Sequence, residues 1–225
     1  MKTAKNKYCK RSHISEAKFR HLIRCFGLDL NAFEASQLTG ISHKTCRRFY
    51  TLLRLRIAKQ GVEVGGTQGE FECDESYFGP KRVRGKRGRG AAGKTPVFGV
   101  LKRGGAVSVK VVPNCSKEAL LPIIQGQILE GSTIHTDGWK AYDGLILNGY
   151  DHYRVYHSHD EFARGKCHVN GIESFWSFAK RRLAQFNGLP PQTFYLHLKE
   201  CEWRFNHRDA NLYLVLLKDL RSNPL

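Results

Sequence analysis

The sequence predicts an α/β protein: a mixed five-stranded sheet flanked by helices, preceded by a small all-α unit. Three observations carry this. Residues 1–60 show only helix-period apolar spacing, and glycines at 61, 65, 66 and 69 close that stretch off. From Phe71 onward the period falls to two, and β-prone runs then alternate with helical ones. The net charge of +17 is also uneven: residues 1–60 carry +11, residues 81–94 carry +7, and the rest is at −1. The expected division is a helix-turn-helix domain over 1–60, a glycine-rich linker over 61–69, and a sheet-bearing domain with C-terminal helices over 70–225.

Residues 1–14 are polar and basic and read as a loose arm. Residues 16–26 place Phe19, Leu22, Ile23 and Phe26 on one side of a helix, with Gly27 as its stop. Asn31 can cap a short helix over 32–38, Thr39-Gly-Ile41 makes a turn, and Ser42 can cap a longer helix beginning His43-Lys-Thr-Cys-Arg-Arg48. In a helix-turn-helix the second helix lays its N-terminal residues in the major groove of DNA. On that pattern His43, Lys44, Thr45, Arg47 and Arg48 face DNA, while Ala35, Leu38, Ile41, Cys46 and Phe49 pack. The same spacing occurs in plain helical bundles, so the concentrated charge is what turns the reading toward a polyanion.

In the second domain, Phe71, Cys73 and Tyr77 alternate with Glu72, Asp74 and Ser76 in a first strand. Lys81, Arg82, Arg84, Lys86, Arg87, Arg89 and Lys94 then follow within a glycine-rich run that is too charged to fold alone. It reads as a phosphate contact or as a solvated hairpin tip. Two strands, 97–102 and 106–112, flank Arg103-Gly-Gly105 as a hairpin. Ser116 can cap a helix to about Ile128, and a fourth strand ends on Asp137. Gly138 breaks that strand and Trp139-Lys-Ala-Tyr142 starts a short helix. Residues 153–157 give a fifth strand. The next helix carries the stripe Ile172, Phe175, Ala179, Leu183 and Phe186, and Gly188-Leu-Pro-Pro191 ends it. Residues 194–220 read as helical and aromatic-rich. The β-α-β crossovers imply a mixed sheet covered by helices.

Composition bounds the class. Hydrophobic residues at 41% argue for a packed core rather than a disordered chain. Seven cysteines with no C-x-x-C pair read as reduced thiols, and no apolar run reaches the roughly 20 residues that span a bilayer. The expected location is the cytoplasm, with no membrane partner. His152, His157, His159 and His168 lie close in sequence, but their spacing fits no standard zinc motif, so no zinc is expected.

Three carboxylates stand in telling contexts: Asp74 within a strand, Asp137 at the end of a later strand, and Glu173 on an amphipathic helix. Ser177, Lys180 and Arg181 continue the Glu173 face. Three carboxylates brought together repel one another unless a divalent cation sits among them. Two Mg²⁺ (or Mn²⁺) ions would suit phosphodiester chemistry there. With 20 acidic residues in 225, the 35-residue gap between Asp137 and Glu173 carries little by itself; the contexts carry the signal. His168 and Asn170, just before Glu173, can orient phosphate or water, and Asn170 can equally cap the helix.

Asp74-Glu-Ser-Tyr-Phe-Gly, His135-Thr-Asp-Gly-Trp-Lys-Ala-Tyr and His168-Val-Asn-Gly-Ile-Glu-Ser-Phe-Trp, in this order, resemble the three catalytic blocks of bacterial insertion-sequence DDE transposases of the ISXO2-like group. Trp203-Arg-Phe-Asn-His-Arg208 resembles their closing segment, with Trp203 and Phe205 expected in the core and Arg204 and Arg208 set against DNA or a partner subunit. The resemblance spans about residues 61–210. It implies an RNase H-like core, with Asp74, Asp137 and Glu173 as catalytic residues and metal ligands. It also implies terminal inverted repeats and target DNA as partners, and a homodimer or higher oligomer on DNA. Related transposases commonly carry a cysteine-rich zinc ribbon before the helix-turn-helix; this sequence has none. Two other readings are a helix-turn-helix regulator with lapsed catalysis and an RNase H-like nuclease or resolvase without strand transfer. All three carboxylates are present, which speaks against the first; a nuclease has no need of a 60-residue DNA-reading unit, which speaks against the second.

Overall fold

The computed structural model describes residues 6–61, 64, 66, 68–79, 93–137, 148–155 and 169–225. The chain divides into two compact units, Met1–Gln60 together with His207–Leu225, and Gly61–Asn206. The expected helix at Trp139–Tyr142 and most of the basic run after Gly79 lie outside the described residues.

The first unit is all-α. Helix α1 (Glu16–Gly27) starts where Ser15 accepts a hydrogen bond from the Lys18 N–H, and it buries Phe19, Leu22, Ile23 and Phe26. Helix α2 (Ala32–Thr39) carries a full capping box. Asn31 accepts from the Phe33 and Glu34 N–H groups at 2.9 and 3.0 Å, and the Asn31 N–H donates to Glu34 at 2.8 Å. Gly40 then takes a left-handed conformation (φ 64°), which stops α2 and turns the chain into helix α3 (His43–Gln60). Phe49 and Tyr50 of α3 meet Phe19 and Phe26 edge to face at 5.3 and 4.9 Å.

The end of the chain belongs to this unit, since residues 207–225 group with residues 1–60. Residues 194–220 form two helices rather than one: α6 (Pro191–Asn206) stops, and Asn211 caps a new helix, α7 (Leu212–Ser222), by accepting from the Leu214 N–H at 3.2 Å. Leu216, Leu217 and Leu220 of α7 are buried. Asp219 receives a two-point bond from Arg56 at 2.9 and 3.1 Å and another from Gln60 at 2.7 Å. The two ends of the chain also pair: the Lys10 N–H donates to the Leu225 carbonyl, and the Leu225 N–H to that of Tyr8.

The second unit holds strands β1 (Glu70–Phe78), β2 (Thr95–Lys102), β3 (Val107–Val111), β4 (Thr133–Asp137) and β5 (Asp151–Val155), with helix α4 (Lys117–Gln127) between β3 and β4. The sheet order is β3-β2-β1-β4-β5. The first three strands are antiparallel neighbours, and β4 and β5 join in parallel. That is the RNase H-like arrangement. Strand β5 begins two residues earlier than the spacing predicts, because Asp151 pairs with Thr133.

One face of the sheet packs Phe71, Cys73, Phe98, Val100 and Ile134 with Leu120 and Ile124 of α4. The other packs Val97, Leu101, Val107 and Val109 with helix α5 (Asn170–Ala184) and α6. The polar side of β1 is therefore covered rather than solvated. Glu72 and Ser76 are buried although their alternation with apolar residues suggests an open face.

Helix α6 closes the β3 edge. Asn206 accepts from the Val107 N–H and donates to the Val107 carbonyl, both at 2.8 Å, and Glu202 accepts from the Val109 N–H at 2.7 Å. An edge strand with its outward groups occupied cannot template another chain. This fixes a crowd of buried charges on α6: Glu200 receives Arg182 at 2.6 Å and Arg204 at 2.9 Å, and Lys199 bonds Glu202. Arg204 is thus an internal counter-ion of Glu200, which corrects its expected place on a DNA or subunit surface. Asn206→Ala would strip both bonds from Val107. We expect a loss of about 1–3 kcal/mol in urea unfolding, the cost of leaving half-buried backbone groups unmade. Unchanged unfolding would show that the edge does not need this clasp.

Candidate active site

Strand register builds the acidic site. Cys73 pairs with Thr136 across the parallel β1–β4 ladder, so the next residues along, Asp74 and Asp137, stand level where β4 ends. The carboxylate oxygens of Asp74, Glu75 and Asp137 approach within 4.8 Å of one another, the one such grouping among the described residues. Burial together with the charges of Glu75 and Asp137 pushes the Asp74 carboxyl up to about 7, against the pull of the Glu75 backbone N–H and the Trp176 indole. A carboxyl raised by neighbouring anions is a place where a divalent cation relieves repulsion, and hard oxygen donors at this spacing fit Mg²⁺ or Mn²⁺.

Helix α5 is brought onto this site by two unusually close approaches. Gly99 stands opposite Asp74 on β2, and a Cβ there would sit 2.7 Å from the Trp176 ring and 2.9 Å from Ile172. Gly171 lies so near Glu72 that its Cβ would meet the carboxylate at 2.9 Å. A side chain at Gly99 would push against the Trp176 ring, and one at Gly171 against the Glu72 carboxylate. With that clearance, Trp176 Nε1–H donates to Asp74 at 3.0 Å. The buried Glu72 carboxylate accepts from the Ile172 N–H at 2.9 Å and from Arg103 at 3.1 Å.

Helix α5 has no side-chain cap of its own at Val169, so Glu72 supplies the missing acceptor from β1. Asn170, an expected cap or phosphate-orienting residue, is the first helical residue and is exposed.

Glu173 is exposed on the first turn of α5 and lies outside the 4.8 Å carboxylate group. It stands three residues before Trp176, one turn away on the face that touches Asp74. Lys180 extends the same face by a further turn. The residue is exposed, and its amine lies 5.9 Å from the centre of the Phe78 ring. Desolvation lowers its pKa, with Lys94 adding to the lowering and Asp74 opposing it. Lys180 therefore brings positive charge toward Asp74, with Lys94 close enough to act on Lys180. Arg181 is exposed and donates to Ser177 at 3.0 Å.

Of the helical unit's predicted contacts, His43, Lys44, Arg47 and Arg48 are exposed in the first turns of α3, while Thr45 is held in the cap by Ser42. His168 and Lys81 to Arg89 lie outside the described residues. Sequence reasoning missed Glu75, Trp176 and Glu72. The signal for Trp176 was available, since it sits at i+3 from Glu173 on a helix.

A five-stranded RNase H-like sheet with carboxylates side by side at the end of its parallel strands defines the class. The ISXO2-like transposase domain matches residues 66–206, nearly the whole sheet-bearing unit, and the chain belongs to that family. A transposase-like protein of Haemophilus influenzae is 44% identical over 115 residues, covering 51% of this chain and 93% of its own length. A protein of the transposable element ISH50 of Halobacterium salinarum is 31% identical over 153 residues, covering 61% of this chain and 52% of its own. Among solved structures, a chain of the simian T-cell lymphotropic virus intasome in complex with PP2A regulatory subunit B56 gamma aligns over 65% of this chain and 52% of its own. Its identity is 15% and its TM-score 0.39, too loose a likeness to support any further point.

The raised Asp74 carboxyl makes a stability prediction. A group whose folded pKa lies above its ordinary value of 3.8 favours folding while protonated, and that contribution is lost as pH rises through about 7. In chelator, Asp74→Asn should therefore be more stable than the unsubstituted protein at about pH 8, and the advantage should shrink toward about pH 4. Melting curves of the two across that range check it. A constant difference would mean that Asp74 does not titrate in the fold.

Proposed function

We propose that this protein is the DDE transposase of an insertion sequence. It binds terminal inverted repeats, frees a 3′-OH by phosphodiester hydrolysis and directs that hydroxyl onto target DNA. The observation that carries the reading is the side-by-side seating of Asp74 and Asp137, with Glu173 on the face of α5 that reaches Asp74, in a chain of a transposase family.

Asp74, Asp137 and Glu173 form the catalytic set and would hold the divalent ions. Glu75 enlarges the acidic field beside them. When bound, such ions supply the Lewis acidity that activates an attacking oxygen and offsets charge on the leaving one. The chain's own groups do the positioning. The Trp176 indole holds one Asp74 oxygen in place, which fixes the orientation of the other. Lys94 and Lys180 attract the phosphate backbone toward carboxylates that would otherwise repel it. The helical unit reads the element ends through His43, Lys44, Thr45, Arg47 and Arg48 of α3, as the second helix of a helix-turn-helix does. Assembly as a dimer or larger complex on DNA lets two ends be joined in one event.

Asp137→Asn keeps the size of the side chain and removes its charge. We expect cleavage and strand transfer on labelled inverted-repeat DNA to fall by more than the roughly 10–100-fold that losing an outer-shell partner costs, with end binding kept. Cleavage near the unsubstituted rate would remove Asp137 from the mechanism. Because α7 completes the helical unit, DNA reading is best tested in the full chain. Arg47→Ala with Arg48→Ala should weaken binding and flatten its salt dependence by about one to two in slope, at roughly 0.9 for each phosphate left without its cation. An unchanged slope would reduce α3 to a packing helix.

A further inference from the structure

The helical unit carries more positive charge than one recognition helix uses. Within α3, Arg54 lies over the Phe26 and Tyr50 rings and Arg56 is paired with Asp219, so the outward cations are those of the first turns and Lys59 in the last. A second concentration lies on α1, whose residues Ala17, Arg20, His21 and Arg24 line a cleft of about 240 Å³ with Tyr213 of α7. Positions 17, 20, 21 and 24 share one helical face, and all four are exposed while Phe19, Leu22, Ile23 and Phe26 fill the core. No residue of α2 or α3 lines the cleft.

The arginines are braced by the tyrosine. Arg20 Nε donates to the Tyr213 hydroxyl at 3.2 Å, and the Arg24 guanidinium sits 5.1 Å from the centre of the Tyr213 ring. Gly27 makes this possible, because its Cβ position is only 3.2 Å from the Tyr213 backbone nitrogen, so α1 and α7 touch there without a side chain between them. A guanidinium held against an aromatic group loses little freedom on binding and keeps the rest of its fork for a phosphate. No carboxylate lines the cleft; the acid acting on Arg20 is Glu16, one residue beyond the lining.

We propose that this α1–α7 cleft seats a backbone phosphate of DNA, giving the helical unit a second DNA contact apart from the first turns of α3. Arg20 and Arg24 grip the phosphate oxygens, His21 adds a donor, and Tyr213 holds both arginines in place. The contact fixes register on the duplex and carries no base sequence. The inference rests on the reading of this chain as a DNA-binding transposase, and its test separates the two.

The test is fluorescence anisotropy of the full chain on a short mixed-sequence DNA duplex across a salt series. It compares Arg20→Gln/Arg24→Gln, Arg20→Lys/Arg24→Lys and Arg47→Gln/Arg48→Gln. The glutamine pair at 20 and 24 should weaken low-salt binding by about tenfold and reduce the salt slope by about one to two. The lysine pair should recover most of the slope, since charge is restored while the braced fork is not. Melting temperatures confirm that each variant is folded. Should binding by the glutamine pair match the unsubstituted chain while the Arg47/Arg48 pair loses affinity, the cleft is not a DNA contact and the reading of α3 stands. Equal loss by the lysine and glutamine pairs would assign the arginines to holding α1 on α7 and overturn the proposal. Absence of salt-sensitive binding by the unsubstituted chain would remove the DNA-binding reading itself.

Discussion

The sheet-bearing unit depends on one buried carboxylate. Glu72 points from the centre of β1 toward α5, where it accepts the Ile172 N–H and holds Arg103. A buried charge without partners costs several kcal/mol, so Glu72 and the first turn of α5 need one another. Gly171 and Gly99 clear the space for that docking. Asp74 lies two residues along the same strand on the same face, so the bond that caps the helix also sets which helical turn reaches the carboxylates. Trp176 is the direct result, and Glu173 and Lys180 follow from helical geometry.

Charge is sorted by place. Negative side chains gather where β1 and β4 run parallel, and around them Lys94 and Lys180 bring cations near enough to act on one another. On α6 the charges are internal and partnered, Glu200 by both Arg182 and Arg204 and Glu202 by Lys199, and they serve the edge of β3. In the helical unit they are outward on α1 and on the first turns of α3. β1 and β2 are joined through Gly79 and Gly93. Gly79 packs there against the backbone of Gly93 and Lys94, too tightly for a Cβ.

Much of this was legible in the sequence, for identifiable reasons. The five strands, the hairpin and the crossovers follow from apolar period and turn residues, and Asp137 was marked by the break at Gly138. Asp74 was marked by its place in an alternating strand. Glu75 was not, since alternation assigns adjacent strand residues to opposite faces, and that rule weakens where the neighbouring strand ends. Glu72 was read as part of a polar face because period reports chemistry, not what packs on it. Arg204 looked like a surface cation because its partner Glu200 lies one helical turn away and burial is a property of the sheet edge. The return of α7 to the first unit was invisible locally, as it rests on Asp219 meeting Arg56 across 163 residues.

The central claim is that the close seating of α5 shapes the carboxylate site as a metal-binding centre. Calorimetric titration of Mn²⁺ into the unsubstituted chain and into Gly99→Ala tests it most directly. That substitution keeps the Asp74, Asp137 and Glu173 side chains themselves and forces the Trp176 ring to shift. The account predicts that Gly99→Ala still folds, with a lowered melting temperature, and binds Mn²⁺ about 10–100-fold more weakly. Binding by a folded Gly99→Ala at the affinity of the unsubstituted chain would contradict it.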